Sequence, residues 1–330
     1  MKDSRICSLL ACPCDRKEAL LNDGESLYCE GIDCRQRFPI VDHIPILINE
    51  RTSLFRVRDI LGKTAIQSTG RVWQDQLRQA GKRLVRYVPT IGANWKAKRN
   101  LRRLRQLLLE EHDHAIVLII GSGEGDQTLE ANLECPEVTL VRFDVYFAPE
   151  IDMIADSHEL PFKDQSFDAI VCQSVLEHVI DPDRCVKEIH RTLKADGIVY
   201  AEVPFIQQVH AKAYDFTRFT LGGLRRLFRD FELVDAGAEG GPGMALAWSI
   251  TWLFRSLSAS LAMEVFTYFV LPLFIFWLKY IDYFIVESPQ AADAASELYF
   301  FGRRSESVTP DRQIVAEYWM NTKNDRSRAS

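Results

Sequence analysis

Residues 115–125 are Ala-Ile-Val-Leu-Ile-Ile-Gly-Ser-Gly-Glu-Gly, an apolar, partly β-branched run that ends in three alternating glycines. Such a run, bounded by glycine, predicts a fully buried strand. Glycines directly after a strand allow the backbone to approach a ligand closely, with free N–H groups at the start of the following helix. The stretch therefore predicts an α/β sheet with a ligand site at this turn.

Further strands are predicted after this turn. The segment 138–143 precedes Asp144, and 151–155 precedes Asp156. An acid at the tip of the second strand, about 20 residues after the glycines, is placed to accept ribose hydroxyls. The segments 167–172, 198–203, 231–237 and 298–302 have the composition of four more strands. A nucleotide-like ligand is expected at the strand ends.

The glycine spacing helps to distinguish the possible ligands. A dinucleotide fingerprint places a third glycine at the sixth position of the turn, where this chain has Asp126. A carboxylate there repels a pyrophosphate but tolerates the cationic sulfonium of S-adenosylmethionine. Asp156 is a second acid that suits the same cofactor.

Three longer motifs follow in order: D-x-x-x-L-P-F-x-D-x-S-F-D at 156–168, L-E-H-V at 176–179 and L-K-A-D-G at 193–197. With the glycine turn, they resemble the class I S-adenosylmethionine-dependent methyltransferases, particularly the branch that includes the ubiquinone and menaquinone biosynthesis enzymes. The resemblance implies a Rossmann-like α/β fold over 111–305, with seven strands, helices on both faces and the last strand antiparallel. It implies these cofactor-binding residues: Gly121, Ser122, Gly123, Gly125, Asp144, Asp156, Ser157 and Gln173.

The segment 204–220, which follows the fifth strand of that domain, is expected to cover the transferred methyl group, because ligands bind at the carboxyl ends of such strands. Similar H-x-x-x-x-D-x-x-R-F-T stretches occur in bacterial methyltransferases encoded with polysaccharide-assembly genes. The candidate catalytic residues are His178, His210, Tyr214, Asp215 and Arg218. Either histidine can serve as a general base. Alternatively, His178 caps the strand end and Arg218 pairs with Asp215, and positioning alone drives the transfer.

Five of the eight cysteines lie within the first 34 residues. Cys12 and Cys14 form one close pair, and Cys29 and Cys34 form a second, which suits tetrahedral zinc. Cys7 is an alternative ligand, and buried thiols without metal are the other interpretation. Residues 5–50, including F-P-I-V-D-H-I-P-I-L, resemble the zinc-ribbon family typified by the activator subunit of tRNA and protein methyltransferases. That resemblance implies a structural and interaction role for a ribbon at 1–50.

Residues 51–110 are predicted to form a basic helical connector, with a helix over 76–109 broken near Pro89 and Gly92. Between Arg78 and Arg105 there are ten basic residues and no acid. The block is either a solvated helix face or a contact for anionic lipid, a pyrophosphate or RNA.

The segment 244–286 is an apolar insertion, and 265–278 carries no charge. That run is shorter than the roughly 20 residues of a spanning helix, and a single crossing would leave the last strand on the wrong side of a membrane. A hairpin dip, an interfacial helix pair or a dimer surface fit this run better. The insertion either contacts a membrane or packs on its own domain or on a second subunit. The tail at 306–330 is polar and expected to fray.

Apolar residues make up 47% of the 330 residues and the formal net charge is −6, which excludes wholesale disorder and a general nucleic-acid binder. The sequence thus predicts a cytoplasmic methyltransferase with structural zinc, peripheral on the inner membrane face or homodimeric. Its acceptor is expected to be a small molecule, a lipid-linked or envelope glycan, or a quinone-like lipid. The alternatives are a non-catalytic scaffold, and an RNA methyltransferase, for which an N-P-P-Y-like tetrapeptide is missing at 173–176.

Overall fold

A computed structural model gives the fold and describes residues 4–14, 18–31, 34–68, 89–123, 127–148 and 150–326. The described strands are β1 (Leu20–Asn22), β2 (Ser26–Cys29), β3 (Arg37–Val41), β4 (Ile44–Leu47), β5 (Ala115–Ile120), β6 (Val138–Asp144), β7 (Met153–Ala155), β8 (Phe167–Gln173), β9 (Leu193–Pro204), β10 (Phe231–Gly240) and β11 (Glu297–Arg304). Each strand predicted from the sequence is present among β5 to β11.

The described α-helices are α1 (Ser4–Leu9), α2 (Val57–Ser68), α3 (Ala97–Glu111), α4 (Gln127–Leu133), α5 (Pro182–Thr192), α6 (Leu221–Leu227), α7 (Pro242–Leu257), α8 (Leu261–Val265), α9 (Pro272–Ile275), α10 (Leu278–Ile285), α11 (Pro289–Asp293) and α12 (Asp311–Arg326). A 3-10 turn spans Lys212–Tyr214, and a π-helical turn spans Phe266–Val270.

The strand order is β1-β2-β3-β4-β7-β6-β5-β8-β9-β11-β10. From β7 to β9 the neighbours are parallel, whereas β11 runs antiparallel between β9 and β10. The chain passes from β5 to β6 and β7 on one side and then to β8 and β9 on the other. The direction of strand order therefore reverses between β5 and β8, which is where sheets of this kind bind ligands.

The N-terminal strands join this sheet, so it extends beyond the seven strands, β5 to β11, that were predicted for 111–305. β4 pairs in parallel with β7, with Ile46 opposite Ile154 and Leu47 opposite Ala155. The sheet thus has eleven strands within the part of the chain described above. Phe38 packs in the same hydrophobic cluster as Phe143, so the first fifty residues share a core with the central strands.

Helices cover both faces of the sheet, as predicted, and β5 is therefore buried on both sides. Val117 and Ile119 face a cluster that includes leucines of α3 and α4. Leu118 and Ile120 face the cluster that includes α5 and α6. Asp181 caps α5 by accepting from the N–H of Arg184, and the proline after it occupies the first turn.

The connector has two described helices, α2 and α3. The helix predicted over 76–109 is present from Ala97, and 69–88 lie outside the described residues. Four residues of the predicted basic block lie there: Arg78, Lys82, Arg83 and Arg86. Of the remainder, Lys96 and Arg99 pair with Glu287, and Arg103 pairs with Asp235. Much of the described positive charge is therefore compensated inside the chain.

The apolar insertion is a chain of helices from α7 to α10, anchored to the domain at one edge. The buried Asp282 carboxylate accepts from the N–H groups of Gly243 and Met244 at the start of α7, at 2.7 and 2.8 Å. A Cβ on Gly243 would lie 2.2 Å from the Leu278 carbonyl oxygen, so α7 and α10 are in close backbone contact. The opposite side stays exposed, most strongly at Leu261 and Phe284.

Among the described helices, none is by itself long and apolar enough to cross a membrane. One bent pair, Leu261–Ile275 with Leu278–Ile285, reaches that length and composition across a 48° bend.

The tail is ordered further than predicted. After 306 the chain forms α12, where Ile314 is buried and Glu317 pairs with Arg225 of α6. α12 packs against α6 and α11, so this part of the tail is attached to the domain, whereas 327–330 lie outside the described residues.

Candidate functional site

A cavity of about 410 Å³ opens at the carboxyl ends of β5, β6 and β8. Its lining includes Gly121 from the glycine turn, Asp144, Asp156 and Ser157 from the strand ends, and His178 from the loop after β8. The structure therefore brings four of the eight predicted cofactor residues to one space: Gly121, Asp144, Asp156 and Ser157.

The glycine turn has the conformation that its sequence predicts. Gly121 has φ +72° and Gly123 has φ +53°, a region that residues with a side chain rarely adopt. A Cβ on Gly121 would lie 2.2 Å from Cγ2 of Val175. Glycine at this position thus satisfies both the backbone and the contact with the β8 loop, whereas Gly125 lies outside the described residues.

Asp144 ends β6 and ties the glycine turn to that strand. Its Oδ2 accepts from the N–H of Gly123 at 2.8 Å, and its Oδ1 accepts from Val145 and Tyr146 at 2.6 and 3.2 Å. A carboxylate has about four acceptor positions, so capacity remains for a ligand hydroxyl.

Asp156 is buried and held by its own neighbourhood. It accepts from the backbone N–H of His158 at 3.0 Å, lies 2.6 Å from the Nδ1 of that residue, and accepts from the Ser53 hydroxyl. Burial alone would raise the pKa of Asp156, but these hydrogen bonds outweigh it and lower the pKa. The acid is therefore ionised and rigid where it borders the cavity.

Three aromatic residues form one wall of the cavity, and of these only Tyr214 was predicted as a site residue. Phe55, from the segment after β4, stacks on Tyr214 at 6.2 Å and meets Tyr146 edge-on at 6.1 Å between ring centroids. All three line the cavity. They come from three distant segments, and no local pattern links them.

A second cavity of about 220 Å³ lies on the other side of Gly121. It is lined by Ser122 and Gln173, two predicted cofactor residues, together with Asn94 and Glu202. The two cavities share Gly121 as a wall residue. The Oε1 of Gln173 is buried and has no hydrogen bond to any of the described residues, so this space offers an acceptor.

The five predicted catalytic residues lie close together. Two of them, His178 and Tyr214, line the first cavity. Asp215 forms a bidentate ion pair with Arg218, and its Oδ2 also accepts from the backbone N–H of His210 at 2.9 Å. Nδ1 of His178 lies 2.8 Å from the carbonyl oxygen of Tyr214. Nε2 of His178 lies 3.1 Å from Nε2 of His210. The predicted Asp215–Arg218 pair is thus present, and it fixes the loop that carries His210.

Burial fixes the charge of His178, and hydrogen bonds fix the charge of Asp215. Burial lowers the pKa of His178 in spite of its contact with the Tyr214 carbonyl, which favours a neutral ring. Burial would raise the pKa of Asp215, but the hydrogen bonds from Arg218 and from the His210 backbone hold it well below the usual range.

Glu177 was missed as a site residue, although its motif was recognised. It is fully buried, and neither of its carboxylate oxygens has a hydrogen bond within the described structure. Its Oε1 lies 3.6 Å from Nε2 of His178 and 3.8 Å from Nε2 of His210. Burial raises its pKa to about 8. The sequence feature that could have indicated Glu177 is an acid directly beside a histidine, shortly after a buried strand.

The predicted zinc ligands also converge. Cys12, Cys29 and Cys34 place their sulfur atoms within 4.8 Å of one another, and Cys12 and Cys34 are 3.4 Å apart. Tetrahedral Zn–S bonds of about 2.3 Å require sulfur atoms about 3.8 Å apart, so the thiols fit a zinc ion. Cys14 interacts electrostatically with Cys12 and Cys34. Cys7 is exposed on α1.

Residues 118–201, which span β5 to β9, match the protein family described as "Methyltransferase domain". The ubiquinone/menaquinone biosynthesis C-methyltransferase UbiE of Geotalea uraniireducens is 32% identical over 98 residues, which are 24% of this chain and 42% of that protein. The UbiE of Citrifermentans bemidjiense is 32% identical over 100 residues, with the same shares. The chain thus spans less than half the length of the curated relatives that it matches.

Among solved structures, the 1,6-didemethyltoxoflavin-N1-methyltransferase of Burkholderia thailandensis, with its substrate and S-adenosylhomocysteine bound, aligns with 86% of this chain and 100% of its own. The sequence identity is 15% and the TM-score is 0.39. The matched family and both curated relatives are methyltransferases.

Proposed function

We propose that this protein is an S-adenosylmethionine-dependent methyltransferase. The observation that carries the proposal is the cavity at the carboxyl ends of β5, β6 and β8, where the glycine turn, the Asp144 carboxylate and His178 meet. The match of 118–201 to the methyltransferase domain family supports it. When bound, S-adenosylmethionine supplies an electrophilic methyl group.

The residues present fit this cofactor. Asp144 would accept its ribose hydroxyls, and the aromatic wall offers π-faces to a base. The backbone at Gly121 leaves room for close approach, because a side chain would fill that space. On the far side of this glycine, the buried and unused Oε1 of Gln173 would accept a hydrogen bond from an ammonium group.

The acceptor would enter from the side of His178, His210 and Tyr214. A neutral His178 that donates Nδ1–H to the Tyr214 carbonyl presents Nε2 as an acceptor for a hydroxyl proton. Arg218 is held by Asp215 and positions the loop. The acceptor class that we propose is a small molecule, a lipid-linked or envelope glycan, or a quinone-like lipid.

The two alternatives have less support. A non-catalytic scaffold does not account for a cavity that keeps the glycine turn and both acids at its edge. A base-methylating RNA enzyme would need an N-P-P-Y-like segment after β8, where Gln173 and Ser174 stand instead.

We propose that Cys12, Cys14, Cys29 and Cys34 hold one structural zinc ion. The thiol spacing supports this, and so does the short length of β1 to β4, which bury little apolar surface by themselves. The ion would stiffen the four strands that extend the sheet at β7.

We propose that the exposed side of the insertion contacts the cytoplasmic face of a membrane. Leu261 is 74% exposed and Phe284 is 80% exposed, within a surface of many such residues. Since Lys96, Arg99 and Arg103 are already paired with acids, we expect apolar contact to dominate over attraction to anionic lipid. A homodimer through the same surface is the alternative, and its test is the oligomeric state without lipid.

The cofactor assignment is tested by calorimetry on Asp144→Ala and Asp144→Asn. We expect Asp144→Ala to weaken S-adenosylmethionine binding by about 1–3 kcal/mol, because the ribose hydroxyls lose their acceptor. Asp144→Asn keeps one acceptor oxygen and should lose less. A 2′,3′-dideoxy analogue should bind both variants and the original protein alike. Equal losses for the ribose and dideoxy compounds would mean that Asp144 acts only on the glycine turn.

A further inference from the structure

Three potential metal-ligand atoms converge at one point beside the methyl-acceptor side of the cavity. They are Oε1 of Glu177 and the Nε2 atoms of His178 and His210. The N–N distance is 3.1 Å, and the two O–N distances are 3.6 and 3.8 Å. Glu177 is fully buried, and its carboxylate oxygens have no hydrogen-bond donor within the described structure.

The other ring nitrogens fix what these atoms can do. Nδ1 of His178 lies 2.8 Å from the Tyr214 carbonyl oxygen, which only accepts, so the ring proton is on Nδ1. Nδ1 of His210 faces the Asp215 carboxylate at 3.5 Å, which favours the same tautomer. Both Nε2 atoms then present lone pairs to one another and to Glu177. At this spacing either a shared proton or a metal ion can occupy the point between them, and metal titration distinguishes the two.

We propose that Glu177, His178 and His210 bind a divalent transition-metal ion, with Zn²⁺ as the representative. Metal–nitrogen bonds of about 2.0–2.1 Å in a tetrahedron require ligand atoms about 3.3 Å apart, close to the observed triangle. Two imidazoles and one carboxylate are a ligand set of catalytic zinc and of non-haem iron sites. The contacts at the two Nδ1 atoms are of the kind that orient ligating histidines.

The position of this site indicates its use, and this step rests on the proposed methyltransferase activity. His178 also lines the 410 Å³ cavity, so the fourth coordination position would border that space. With the ion bound, Nε2 of His178 is a metal ligand and is no longer the proton acceptor described above. An acceptor hydroxyl in the fourth position would then have a lowered pKa and would release its proton to solvent. A lone pair of the acceptor oxygen then forms the C–O bond as the S–CH₃ bond breaks. The electron pair of the S–CH₃ bond stays on sulfur, which becomes a neutral thioether. The acceptor class is therefore a hydroxyl compound rather than an amine or a carbon nucleophile.

Metal binding is tested by titrating Co²⁺ into full-length protein whose N-terminal thiols are already filled with zinc. We expect one further Co²⁺ per chain, with a ligand-field spectrum that lacks thiolate-to-cobalt charge transfer. His210→Ala and Glu177→Gln should each weaken this binding at least tenfold. The carboxamide of Glu177→Gln is nearly isosteric and can donate to an Nε2 atom, so that variant also preserves the buried packing. His114→Ala removes an exposed histidine elsewhere and should bind Co²⁺ normally.

The outcomes separate the two proposals. Protein that takes up no Co²⁺ beyond the thiol site, or His210→Ala with unchanged Co²⁺ affinity, overturns the metal site even if S-adenosylmethionine binds. Protein that binds Co²⁺ through these residues but no S-adenosylmethionine overturns the proposed function and leaves the metal site standing. His210 is partly exposed on a loop, so its alanine variant should fold.

Discussion

Replacing Gly121 by alanine tests the geometry on which the cofactor site depends. The backbone there is left-handed, at φ +72°, which costs a residue with a Cβ about 1–2 kcal/mol. The new Cβ would also lie 2.2 Å from Cγ2 of Val175, an overpacking that typically costs about 1–3 kcal/mol. We therefore expect Gly121→Ala to lower the free energy of unfolding by about 2–5 kcal/mol in total.

Gly123→Ala is the matched control, because it shares the positive φ but meets no atom within 4 Å. It should lose only the backbone cost of about 1–2 kcal/mol. Urea denaturation of both variants without ligand measures the difference directly.

A double-mutant cycle isolates the steric part of the loss. Adding Val175→Ala to Gly121→Ala removes Cγ2, so the pair should be less destabilised than the sum of the single variants by about 1–3 kcal/mol. Equal destabilisation of Gly121→Ala and Gly123→Ala, with additive behaviour of Val175→Ala, would refute the contact between the glycine turn and the β8 loop.

Three further outcomes are expected. Purified protein should contain zinc, and Cys29→Ser should lose it in elemental analysis, because three thiolates hold the ion less tightly than four. Burial raises the pKa of Glu297 to about 7, so the protonated side chain contributes fully to stability below pH about 4.5, and this contribution is lost as the pH rises to about 7. The free energy of unfolding measured across that range should fall by up to about 3 kcal/mol, and Glu297→Gln should remove this fall. Leu261→Ser combined with Phe284→Ser should reduce the fraction that co-sediments with anionic vesicles at high salt, while Val308→Ser, exposed outside the insertion, should not.

The two structural predictions each have a control and an opposing result. Cys135→Ser should keep its zinc, since Cys135 lies just before β6, far along the chain from the four predicted ligands. Zinc retained in Cys29→Ser would mean a different ligand set. Glu232→Gln changes an exposed acid and should leave the pH dependence unaltered. A flat stability between pH 4.5 and 7 in the original protein would contradict the assignment to Glu297.

The central sheet and the cofactor turn could be predicted from the sequence because their determinants are local. A buried run followed by Gly121 and Gly123 specifies a strand and a turn without reference to the rest of the chain. Asp144 follows a strand, so its place at the carboxyl edge comes from the direction of parallel strands alone. The clustering of Cys12 with Cys34 was likewise expected from spacing.

Only the tertiary structure decided which distant segments meet. β4 could have ended a separate ribbon, but it pairs with β7 because that edge of the parallel sheet offers unpaired backbone groups. Glu287 neutralises Lys96 across almost two hundred residues, which no charge count along the chain reveals. Glu177 and His178 are neighbours in sequence, yet their convergence with His210 depends on a loop fixed by the Asp215–Arg218 pair. Short-range patterns determine elements and turns, whereas the site's chemistry depends on contacts that exist only once the chain has folded.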